Sequence, residues 1–436
     1  MTISISALDP LEVRAPAERE AALFAALPGL IAHAQAHSPA MSERLAGIDP
    51  SRITDRATLA ALPVLRKYEV LEQQKTQRAS DVFGGFATIG WRGQPARHGH
   101  GQSDGARRVF QSPGPIYEPE GEALDYWRMA RAIRAAGFER GDLIHNSFSY
   151  HLTPAGSMME TGAHALGCTV FPGGVGNTEL QLQAIQELRP HGYIGTPSFL
   201  KILVEKAAEA HTGGGTGGGG LGQICKALVS GEAFPPSLRD WLIERGVQAY
   251  QCYATADVGL IAFETSARQG LVVDEHVILE IVRPGTHNPV PDGEVGEVVV
   301  TVLNPDYPLI RFGTGDLSAL LPGPCPSGRT NQRIKGWLGR ADQTTKVRGM
   351  FVHPSQIAEV AKRHPEILRA RLVVEGEMSA DRMTLHIEVA TASENLPTRV
   401  AETLRDITKL RGNITLLPPN TLPNDGKVIE DARSYK

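Results

Sequence analysis

Between residues 122 and 234 the sequence alternates helical segments with short apolar strands, and this alternation restricts the fold more than any other feature. A strand followed by a returning helix pairs in parallel with its neighbours, so repeated alternation favours a parallel sheet covered by helices. Gly137 is expected to end the first helix. The pattern predicts helices at 126–138, 155–167, 182–190 and 199–210, and strands at 142–148, 168–174, 192–198 and 226–234.

The segments around this alternation have different patterns. Residues 16–48 carry apolar positions at helical spacing and predict one or two amphipathic helices. Residues 84–121 are rich in glycine, proline, serine and arginine and predict a long loop or hairpin. The glycine-rich stretch 210–222 matches no phosphate-binding motif and is interpreted as a surface linker. A Pro-Asp-Gly turn within 277–303 predicts a β-hairpin, a barrel-like part of the large domain.

A second, smaller domain is predicted to begin near residue 340. Its pattern reads helix, strand, strand, helix and strand, at 355–363, 369–375, 382–390, 398–409 and 413–417. The chain is therefore predicted to be an α/β protein with an N-terminal domain at 1–339 and a small α+β domain at 340–436. A length of 436 residues also exceeds one typical core.

Composition excludes several functional classes. Lysine and arginine number 44 against 48 acidic residues, and the formal charge of −4 lacks the basic character of a nucleic-acid-binding protein. No stretch approaches the roughly 20 apolar residues that cross a bilayer, and the N-terminus lacks the pattern of a signal peptide, so a cytoplasmic protein is predicted. The four cysteines form no Cys-x-x-Cys pair and are expected to be free thiols.

Three segments of the second half carry residue types that suit nucleotide chemistry: PLIRFGTGD at 308–316, GRADQTTKVRG at 339–349 and LPNDGK at 422–427. In this order and at this spacing they resemble the phenylacetate–CoA ligase family of adenylate-forming enzymes. The resemblance extends from about residue 55 to 430 and is strongest over 226–350. It implies an enzyme that activates a carboxylic acid with ATP as an acyl-adenylate and then transfers the acyl group to coenzyme A.

The same resemblance assigns a nucleotide site for ATP and AMP. A carboxylate at a strand end can accept hydrogen bonds from both ribose hydroxyls, and Asp316 is the candidate, with Arg340 as a second ribose contact. Tyr253 is expected to stack on adenine, and Glu232 belongs to the Ser-Gly-Glu turn that contacts adenine in the family. Asp257 stands where the family has a magnesium-binding glutamate, and it is predicted to bind Mg²⁺.

The acid is expected to bind beside the nucleotide. Segments 146–156 and 195–199 match those that flank the acid in the family, and an aromatic acid of the phenylacetate or benzoate type is favoured. Tyr150 and His151 are the candidates for shaping this pocket, and a hydrogen-bonded histidine of the core is the open alternative for His151. The remaining substrate candidates lie in the nucleotide-contacting segments and are Gly231 and Ala254.

The family's phosphate loop, SSGTTGxP, has no clear counterpart. The matching window reads RRVFQSPGPIYEP at 107–119, and two of the four residues of its Ser-Pro-Gly-Pro carry no N–H for a phosphate. The segment HGHGQSDG at 98–105 is another candidate remnant. Arg107 or Arg108 would alternatively supply charge in place of backbone amides.

The C-terminal domain supplies the remaining candidates. Lys427 is the predicted catalytic residue, because in the family a C-terminal lysine moves in to hold the acid carboxylate against the α-phosphate. The family's C-terminal domain rotates between two states, so this domain is predicted to be mobile, with its hinge at Asp342–Gln343. After that rotation Gly349 is predicted to line the tunnel for the pantetheine of coenzyme A.

No zinc site is predicted. Some relatives hold zinc with a cysteine that follows the magnesium-binding segment, a nearby histidine and a Cys-x-Cys pair. The corresponding positions of this chain are Thr265, Val272, Cys325 and Ser327. One such ligand of four cannot hold a tetrahedral zinc ion.

Two further functions stay open. One is an adenylating enzyme that transfers the acyl group to a carrier protein or an amine. The other is a lapsed family member that binds an acyl-CoA or acyl-AMP without catalysis, which the altered phosphate loop favours. The retained Asp316, Arg340 and Lys427 favour an active enzyme. A homodimer is compatible with the sequence, and the identity of the acid is open.

Overall fold

The computed structural model describes residues 9–92, 105–212, 221–341, 343, 345–376, 381–391, 393–423 and 427–433, with the backbone alone for 210–212. The chain divides into two compact units, Met1–Gly339 and Arg340–Lys436. Each unit has its own apolar core. Within the described residues, no helix is both long enough and apolar enough to cross a bilayer.

The first unit contains helices and strands of different lengths. Its helices are α1 (Pro16–His37), α2 (Pro39–Arg44), α3 (Arg56–Ala60), α4 (Lys67–Gln77), α5 (Ala130–Ala135), α6 (Ala155–Leu166), α7 (Thr178–Leu188), α8 (Pro197–Thr212) and α9 (Pro236–Glu244). Its strands are β1 (Leu65–Arg66), β2 (Arg108–Ser112), β3 (Ile116–Glu120), β4 (Leu143–Asn146), β5 (Thr169–Pro172), β6 (Gly192–Gly195), β7 (Lys226–Val229), β8 (Gln248–Thr255), β9 (Gly259–Glu264), β10 (Leu271–Val273), β11 (Val277–Val282), β12 (Gly296–Val302), β13 (Phe312–Ser318), β14 (Leu320–Leu321) and β15 (Arg333–Ile334).

The main sheet has the strand order β14-β15-β10-β9-β8-β7-β6-β4-β5. The strands from β8 to β5 pair in parallel, and α6 to α9 lie between them in sequence, which confirms the helix-covered parallel sheet. The pairings from β8 to β14 are antiparallel. The alternating pattern therefore accounts for one half of this sheet, and the other half is formed by strands without intervening helices.

The first predicted helix, 126–138, is shorter in the structure, where α5 begins only at Ala130. Arg128 has a left-handed backbone (φ 62°), and its guanidinium lies 3.3 Å from the buried carboxylate of Asp274. A regular helix cannot continue through a left-handed residue, so this tertiary contact delays the helix start. Gly137 (φ 90°) follows the helix end, as predicted.

A second sheet of the first unit has the order β1-β13-β12-β11. β11 and β12 pair antiparallel along their whole length, which confirms the predicted hairpin. Among the described residues this sheet is open and does not close into a barrel. Arg311, the arginine of PLIRFGTGD, is fully buried just before β13, where it pairs with Glu280 at 2.9 Å and donates to backbone carbonyls. This arginine is a structural residue that fixes the start of the strand carrying Asp316.

The second unit is an α+β unit, as predicted. Its elements are β16 (Thr345–Val347), β17 (Met350–Val352), α10 (Pro354–Arg363), β18 (Ile367–Glu375), β19 (Arg382–Val389), α11 (Leu396–Thr408), β20 (Asn413–Leu417) and β21 (Ile429–Asp431). Four strands form a sheet in the order β20-β19-β18-β21, and β16 and β17 form a separate hairpin. The five elements predicted after residue 340 all occur, and apolar side chains of both helices pack on the sheet.

Candidate active site

Tyr253 and Asp316, which are 63 residues apart in the sequence, lie in direct contact. Tyr253 is on β8 of the main sheet and Asp316 is on β13 of the second sheet. The Tyr253 hydroxyl donates a hydrogen bond of 2.7 Å to Asp316 Oδ2, and Asp316 is only 7% exposed. Two residues that the resemblance assigns to one nucleotide site are thus brought together from two different sheets.

Trp337 and Thr314 also lie beside Asp316. The indole Nε1 of Trp337 donates a hydrogen bond of 3.1 Å to Asp316 Oδ1, and the Asp316 amide donates to Thr314 Oγ1 at 3.1 Å. Both oxygens of the Asp316 carboxylate thus accept a hydrogen bond from a neighbouring side chain, which fixes the orientation of the carboxylate. The sequence motif does not identify Trp337, because nothing in GTGD indicates which side chain lies opposite the carboxylate.

Asp257 lies in the turn between β8 and β9 and pairs with Lys67. Its Oδ2 is 2.7 Å from Lys67 Nζ, and its side chain is 2% exposed. Its Oδ1 is buried and has no hydrogen-bond partner within the described part of the chain. A buried carboxylate oxygen without a partner is costly, so this oxygen suits a cation or a donor that a ligand would supply.

Lys67 is a site residue that the sequence patterns leave unassigned. It belongs to LAALPVLRKYEV at 59–70, which resembles an entry segment of the family, although a surface connection is the favoured interpretation. Lys67 is the first residue of α4, where the positive end of the helix dipole disfavours a cation. The pairing with Asp257 offsets this unfavourable position, and only the fold reveals it.

The window that replaces the phosphate loop is a tight β-hairpin. β2 and β3 pair antiparallel, and residues 113–115 form the turn. Ser112 donates its backbone N–H at 3.3 Å, and also its hydroxyl, to the carboxylate of Glu118, which is fully buried. Because the turn contains two prolines, Gly114 alone among residues 113–115 carries an amide N–H. The donors that a triphosphate would need are therefore largely absent or already used.

Glu118 lies in the same neighbourhood as Asp257 and Lys67. Burial raises the pKa of Glu118 to about 8; the charge of Asp257 adds to this rise, and Lys67 opposes it. A carboxyl group with this pKa holds its proton at neutral pH. Protonation removes one negative charge beside Asp257, so one carboxylate and one ammonium group remain there.

Glu118→Gln is expected to stabilise the protein more at alkaline pH than at acid pH. The raised pKa of Glu118 costs no stability below its ordinary value of 4.5, and the cost grows as the pH rises to about 8. Glutamine stays neutral and still offers an oxygen to Ser112. Thermal unfolding at pH 5 and pH 8.5 measures the effect, with the exposed Glu402→Gln as the control. A difference in Tm that does not grow with pH would contradict the raised pKa.

Arg107 and Arg108 both pair with one buried carboxylate. Their guanidinium groups lie 2.6 Å and 2.7 Å from Glu120 Oε1, while Glu120 Oε2 accepts hydrogen bonds from Trp127 and Ser157. Burial would raise the pKa of Glu120, but these hydrogen bonds hold it below its ordinary value. The two arginines are thus partners of Glu120 in this structure. Of the alternative remnant at 98–105, all but the last residue lie outside the described ranges.

The Ser-Gly-Glu turn follows β7, beside β8. Gly231 has a left-handed backbone (φ 81°), a conformation that favours glycine. Ser230 donates its hydroxyl to the carbonyl of Cys252 at 2.8 Å, which ties the turn to the residue before Tyr253. Glu232 is exposed and accepts a hydrogen bond of 2.5 Å from Ser198 at the start of α8.

The acid-pocket candidates differ in their surroundings. The Tyr150 hydroxyl donates to Glu160 at 2.8 Å and accepts from the Asn146 amide at 2.8 Å, and burial raises the pKa of Tyr150 well above its ordinary range. His151 is exposed, so the alternative of a buried core histidine is wrong. Ala254 is half-buried on β8 and pairs with β9. Tyr150 is therefore the candidate with a fixed orientation.

The second unit carries the other three candidates. Arg340 is its first residue and is half-buried. Gly349 (φ 82°) lies in the turn between β16 and β17. Lys427 is exposed just before β21, and its backbone carbonyl accepts a hydrogen bond of 3.1 Å from Arg371. The roles of these residues stay predictions.

The predicted hinge is described only in part, because Asp342 lies outside the described residues. Gln343 has a left-handed backbone (φ 58°), and its side-chain oxygen accepts a hydrogen bond of 2.7 Å from the amide of Val428. The side chain of Gln343 thus contacts the residue that follows Lys427.

Comparison with known proteins finds similar enzymes over most of the chain. A family model described as AMP-binding enzyme matches residues 126–302. The phenylacetate–CoA ligase of Thermus thermophilus is 29% identical over 409 residues, which cover 87% of either chain. The phenylacetate–CoA ligase of Escherichia coli is 28% identical over 409 residues, covering 90% of this chain and 88% of its own. Residues 126–302 thus match the AMP-binding enzyme family, and most of the chain is similar to phenylacetate–CoA ligases.

Solved structures share the fold of this chain. A crystal structure of 2-hydroxyisobutyryl-CoA ligase with 2-HIB-AMP and CoA matches with a TM-score of 0.79, covering 98% of this chain and 92% of its own, at 23% identity. An amide bond synthetase from Marinactinospora thermotolerans matches with a TM-score of 0.54, covering 77% and 70%, at 17% identity. At these identities the likeness establishes the fold alone.

The four positions considered for zinc lie in one part of the first unit, but they carry other side chains. Thr265 Oγ1 lies 3.7 Å from Cys325 Sγ, which in turn lies 3.1 Å from Ser327 Oγ. Val272 belongs to the same apolar cluster as Cys325. Neutral hydroxyl and apolar groups are poor zinc ligands. The chemistry of these side chains is therefore the reason for predicting no zinc at this place.

Proposed function

We propose that this chain is a member of the phenylacetate–CoA ligase family and acts as an ATP-dependent, AMP-forming acid–CoA ligase. The observation that carries the proposal is the contact between Tyr253 and Asp316, because it unites an aromatic ring and a carboxylate suited to adenine and ribose. Relatives named phenylacetate–CoA ligase that match nearly nine-tenths of the chain support the same activity. The implied cofactors are ATP, Mg²⁺ and coenzyme A.

In the proposed reaction a carboxylate oxygen of the acid attacks the α-phosphorus of ATP, and the bond to pyrophosphate breaks. Asp316 and Arg340 bind the ribose, Tyr253 stacks on adenine, and Glu232 belongs to the adenine turn. Lys427 stabilises the charge that develops between the acid and the α-phosphate. The thiol of coenzyme A then attacks the acyl carbon, its proton passes to solvent, and AMP leaves with the electrons of the broken C–O bond.

Asp257 is the proposed ligand of Mg²⁺. Its unpartnered Oδ1 fits an ion that proteins hold with one or two carboxylates, together with water and substrate phosphates. When bound, Mg²⁺ would neutralise charge on the triphosphate. Lys67 places a positive charge beside the same carboxylate. This charge would replace part of the positive potential that the amides of a phosphate loop would supply to the triphosphate.

The proposed substrate is an aromatic acid of the phenylacetate or benzoate type. Tyr150 would shape its pocket, since hydrogen bonds to Asn146 and Glu160 fix the orientation of the ring. His151, Gly231 and Ala254 are the other proposed substrate contacts. Gly349 is proposed to lie along the pantetheine of coenzyme A, where a glycine allows close backbone approach.

The test is ATP–pyrophosphate exchange measured over aromatic and short aliphatic acids, followed by thioester formation with coenzyme A. The expected result is exchange that is strongest with an aromatic acid. Because the hairpin turn offers few donors, a high KM for ATP and a steep Mg²⁺ requirement are also expected. Exchange without thioester formation would indicate that a carrier protein or an amine accepts the acyl group.

A second candidate function is binding of AMP or acyl-adenylate without catalysis. It is favoured by one observation, namely that Glu118 already accepts the backbone and hydroxyl donors of Ser112. If the protein binds AMP in a calorimetric titration but catalyses no exchange with any acid, this function replaces the ligase proposal.

A further inference from the structure

The two segments proposed to flank the acid follow adjacent parallel strands of the main sheet. β4 ends at Asn146 and pairs in parallel with β6, which ends at Gly195. The amide of Ser147 donates a hydrogen bond of 2.8 Å to the carbonyl of Ile194, which links the two strand ends. Ligands of α/β sheets bind outside the carboxyl ends of the strands, so Asn146 lies at the edge where a ligand is expected.

Glu160 is a half-buried carboxylate of α6 that contacts the loop after β4. Its Oε2 accepts a hydrogen bond of 2.8 Å from the Tyr150 hydroxyl. Within the described residues, the Glu160 carboxylate makes no ion pair and no second hydrogen bond. The nearby Arg108 pairs with Glu120 at 2.7 Å. Oε1 of Glu160 is therefore an acceptor that a bound ligand can use.

The side-chain donors around Glu160 are already used inside the protein. The Asn146 amide donates one N–H to the Tyr150 hydroxyl at 2.8 Å and the other to the carbonyl of Gly156 at 2.9 Å. The single hydroxyl hydrogen of Tyr150 is donated to Glu160, and an ionised carboxylate only accepts. The group formed by Asn146, Tyr150 and Glu160 therefore offers acceptor positions to a ligand, and its own donors are occupied.

The position of the Tyr150 ring is fixed by Gly156 in the first turn of α6. A Cβ atom at Gly156 would lie 2.8 Å from the carbonyl oxygen of Ser149 and 2.9 Å from two atoms of the Tyr150 ring. The ring thus packs directly on the backbone of the helix that carries Glu160. A donor–acceptor pattern on a side chain held in this way is set before a ligand binds, which favours specificity.

We propose that Glu160 determines specificity for an aromatic acid whose ring carries a hydrogen-bond donor remote from the carboxylate, a refinement that rests on the proposed ligase function. A hydroxyl or amino group of the acid donates to Glu160 Oε1. The carboxylate of the acid points away from Glu160, because like charges repel. An acid with a methyl group at the same ring position leaves this acceptor without its partner, and sites built for a donor discriminate against such analogues.

The test compares phenylacetates with a methyl, hydroxyl or amino group at the 3- or 4-position of the ring in ATP–pyrophosphate exchange. The three groups are similar in size, and only the hydroxyl and amino groups donate hydrogen bonds. The wild type is expected to favour a hydroxyl- or amino-substituted acid over its methyl analogue by at least about tenfold in kcat/KM. A ratio near one at both ring positions overturns the proposal.

Glu160→Gln keeps the size of the side chain and an acceptor for Tyr150, but it replaces one carboxylate oxygen with an NH2 group. The preference for a donor-substituted acid is expected to fall to within about threefold. Glu187→Gln is the matched control, because Glu187 is an exposed glutamate that also accepts one hydrogen bond, from Gln183 at 2.8 Å. If Glu160→Gln keeps the preference, or lowers kcat/KM equally for all acids, Glu160 does not determine specificity.

Pyrophosphate exchange in the wild type separates this proposal from the proposed function. If no acid supports exchange, the ligase proposal has failed, and calorimetric titration then tests Glu160 with non-hydrolysable acyl-sulfamoyl adenosines. These analogues carry the hydroxyl- and methyl-substituted phenylacetyl groups. Binding of the hydroxyl analogue that is at least about tenfold tighter, with the difference lost in Glu160→Gln, supports the role of Glu160. Equal binding of the two analogues, a difference that persists in Glu160→Gln, or no binding of either overturns it.

Discussion

Replacing Lys427 with alanine will lower the rate of acyl-adenylate formation by about 100-fold or more, because it removes the cation proposed to stabilise the developing charge. The attack of coenzyme A on supplied acyl-adenylate will stay nearly unchanged. The side chain of Lys427 is exposed, in a segment just before the edge strand β21, so its removal leaves no cavity in the core. A loss of activity will then reflect chemistry and not unfolding.

The two half-reactions are measured separately, as pyrophosphate exchange and as thioester formation from supplied acyl-adenylate. Lys362→Ala is the control, because Lys362 is an exposed lysine on α10 of the same unit. Lys427→Arg adds a second comparison, since it keeps the charge but spreads it over a planar group. If Lys427→Ala slows both half-reactions equally, or neither, the assignment of Lys427 to adenylation is wrong.

The fold was predictable from the sequence where local patterns and tertiary structure agree. A regular spacing of apolar residues and recognisable ends mark three parts of the chain. These are the alternating segments between β4 and β8, the hairpin of β11 and β12, and the five elements of the second unit. The start of α5 was not predictable, because a buried ion pair between Arg128 and Asp274 sets the left-handed backbone before it. These two residues are 146 positions apart. A helical pattern involves only residues that are close in the sequence, so it cannot reveal this contact.

The candidate site likewise contains residues that short motifs identify and residues that only the fold reveals. Tyr253 and Asp316 were predictable because each belongs to a short motif with a recognisable spacing. The pairing of Lys67 with Asp257 was not, since 190 residues separate them. Glu118 was also not predictable, because its burial and its contact with Ser112 depend on the register of β2 and β3. Motifs therefore identify candidate groups for the ligand, whereas the charges behind these groups emerge only from the fold.

Asp316→Ala will weaken the binding of AMP and ATP by roughly ten- to a hundredfold, since a hydrogen bond to a charged acceptor contributes about 1.5–3 kcal/mol. The variant loses the proposed acceptor of the ribose hydroxyls. It also removes the acceptor of the hydrogen bonds from the Tyr253 hydroxyl, which keeps Thr314 Oγ1 at 3.1 Å, and from the indole N–H of Trp337, which is on an exposed side chain. The fold should therefore survive, and calorimetric titration with AMP measures the effect.

Matched variants decide whether Asp316 acts on the nucleotide directly or through its neighbours. Tyr253→Phe removes the hydrogen bond to Asp316 Oδ2 but keeps the ring that is proposed to stack on adenine, and Trp337→Phe removes the hydrogen bond to Oδ1. If the carboxylate itself holds the ribose, both variants will bind AMP within a few-fold of the wild type, whereas Asp316→Ala will not. Binding of AMP to Asp316→Ala at wild-type affinity would remove the residue from the nucleotide site. A loss in Tyr253→Phe as large as that in Asp316→Ala would instead assign the main role of Asp316 to orienting the tyrosine.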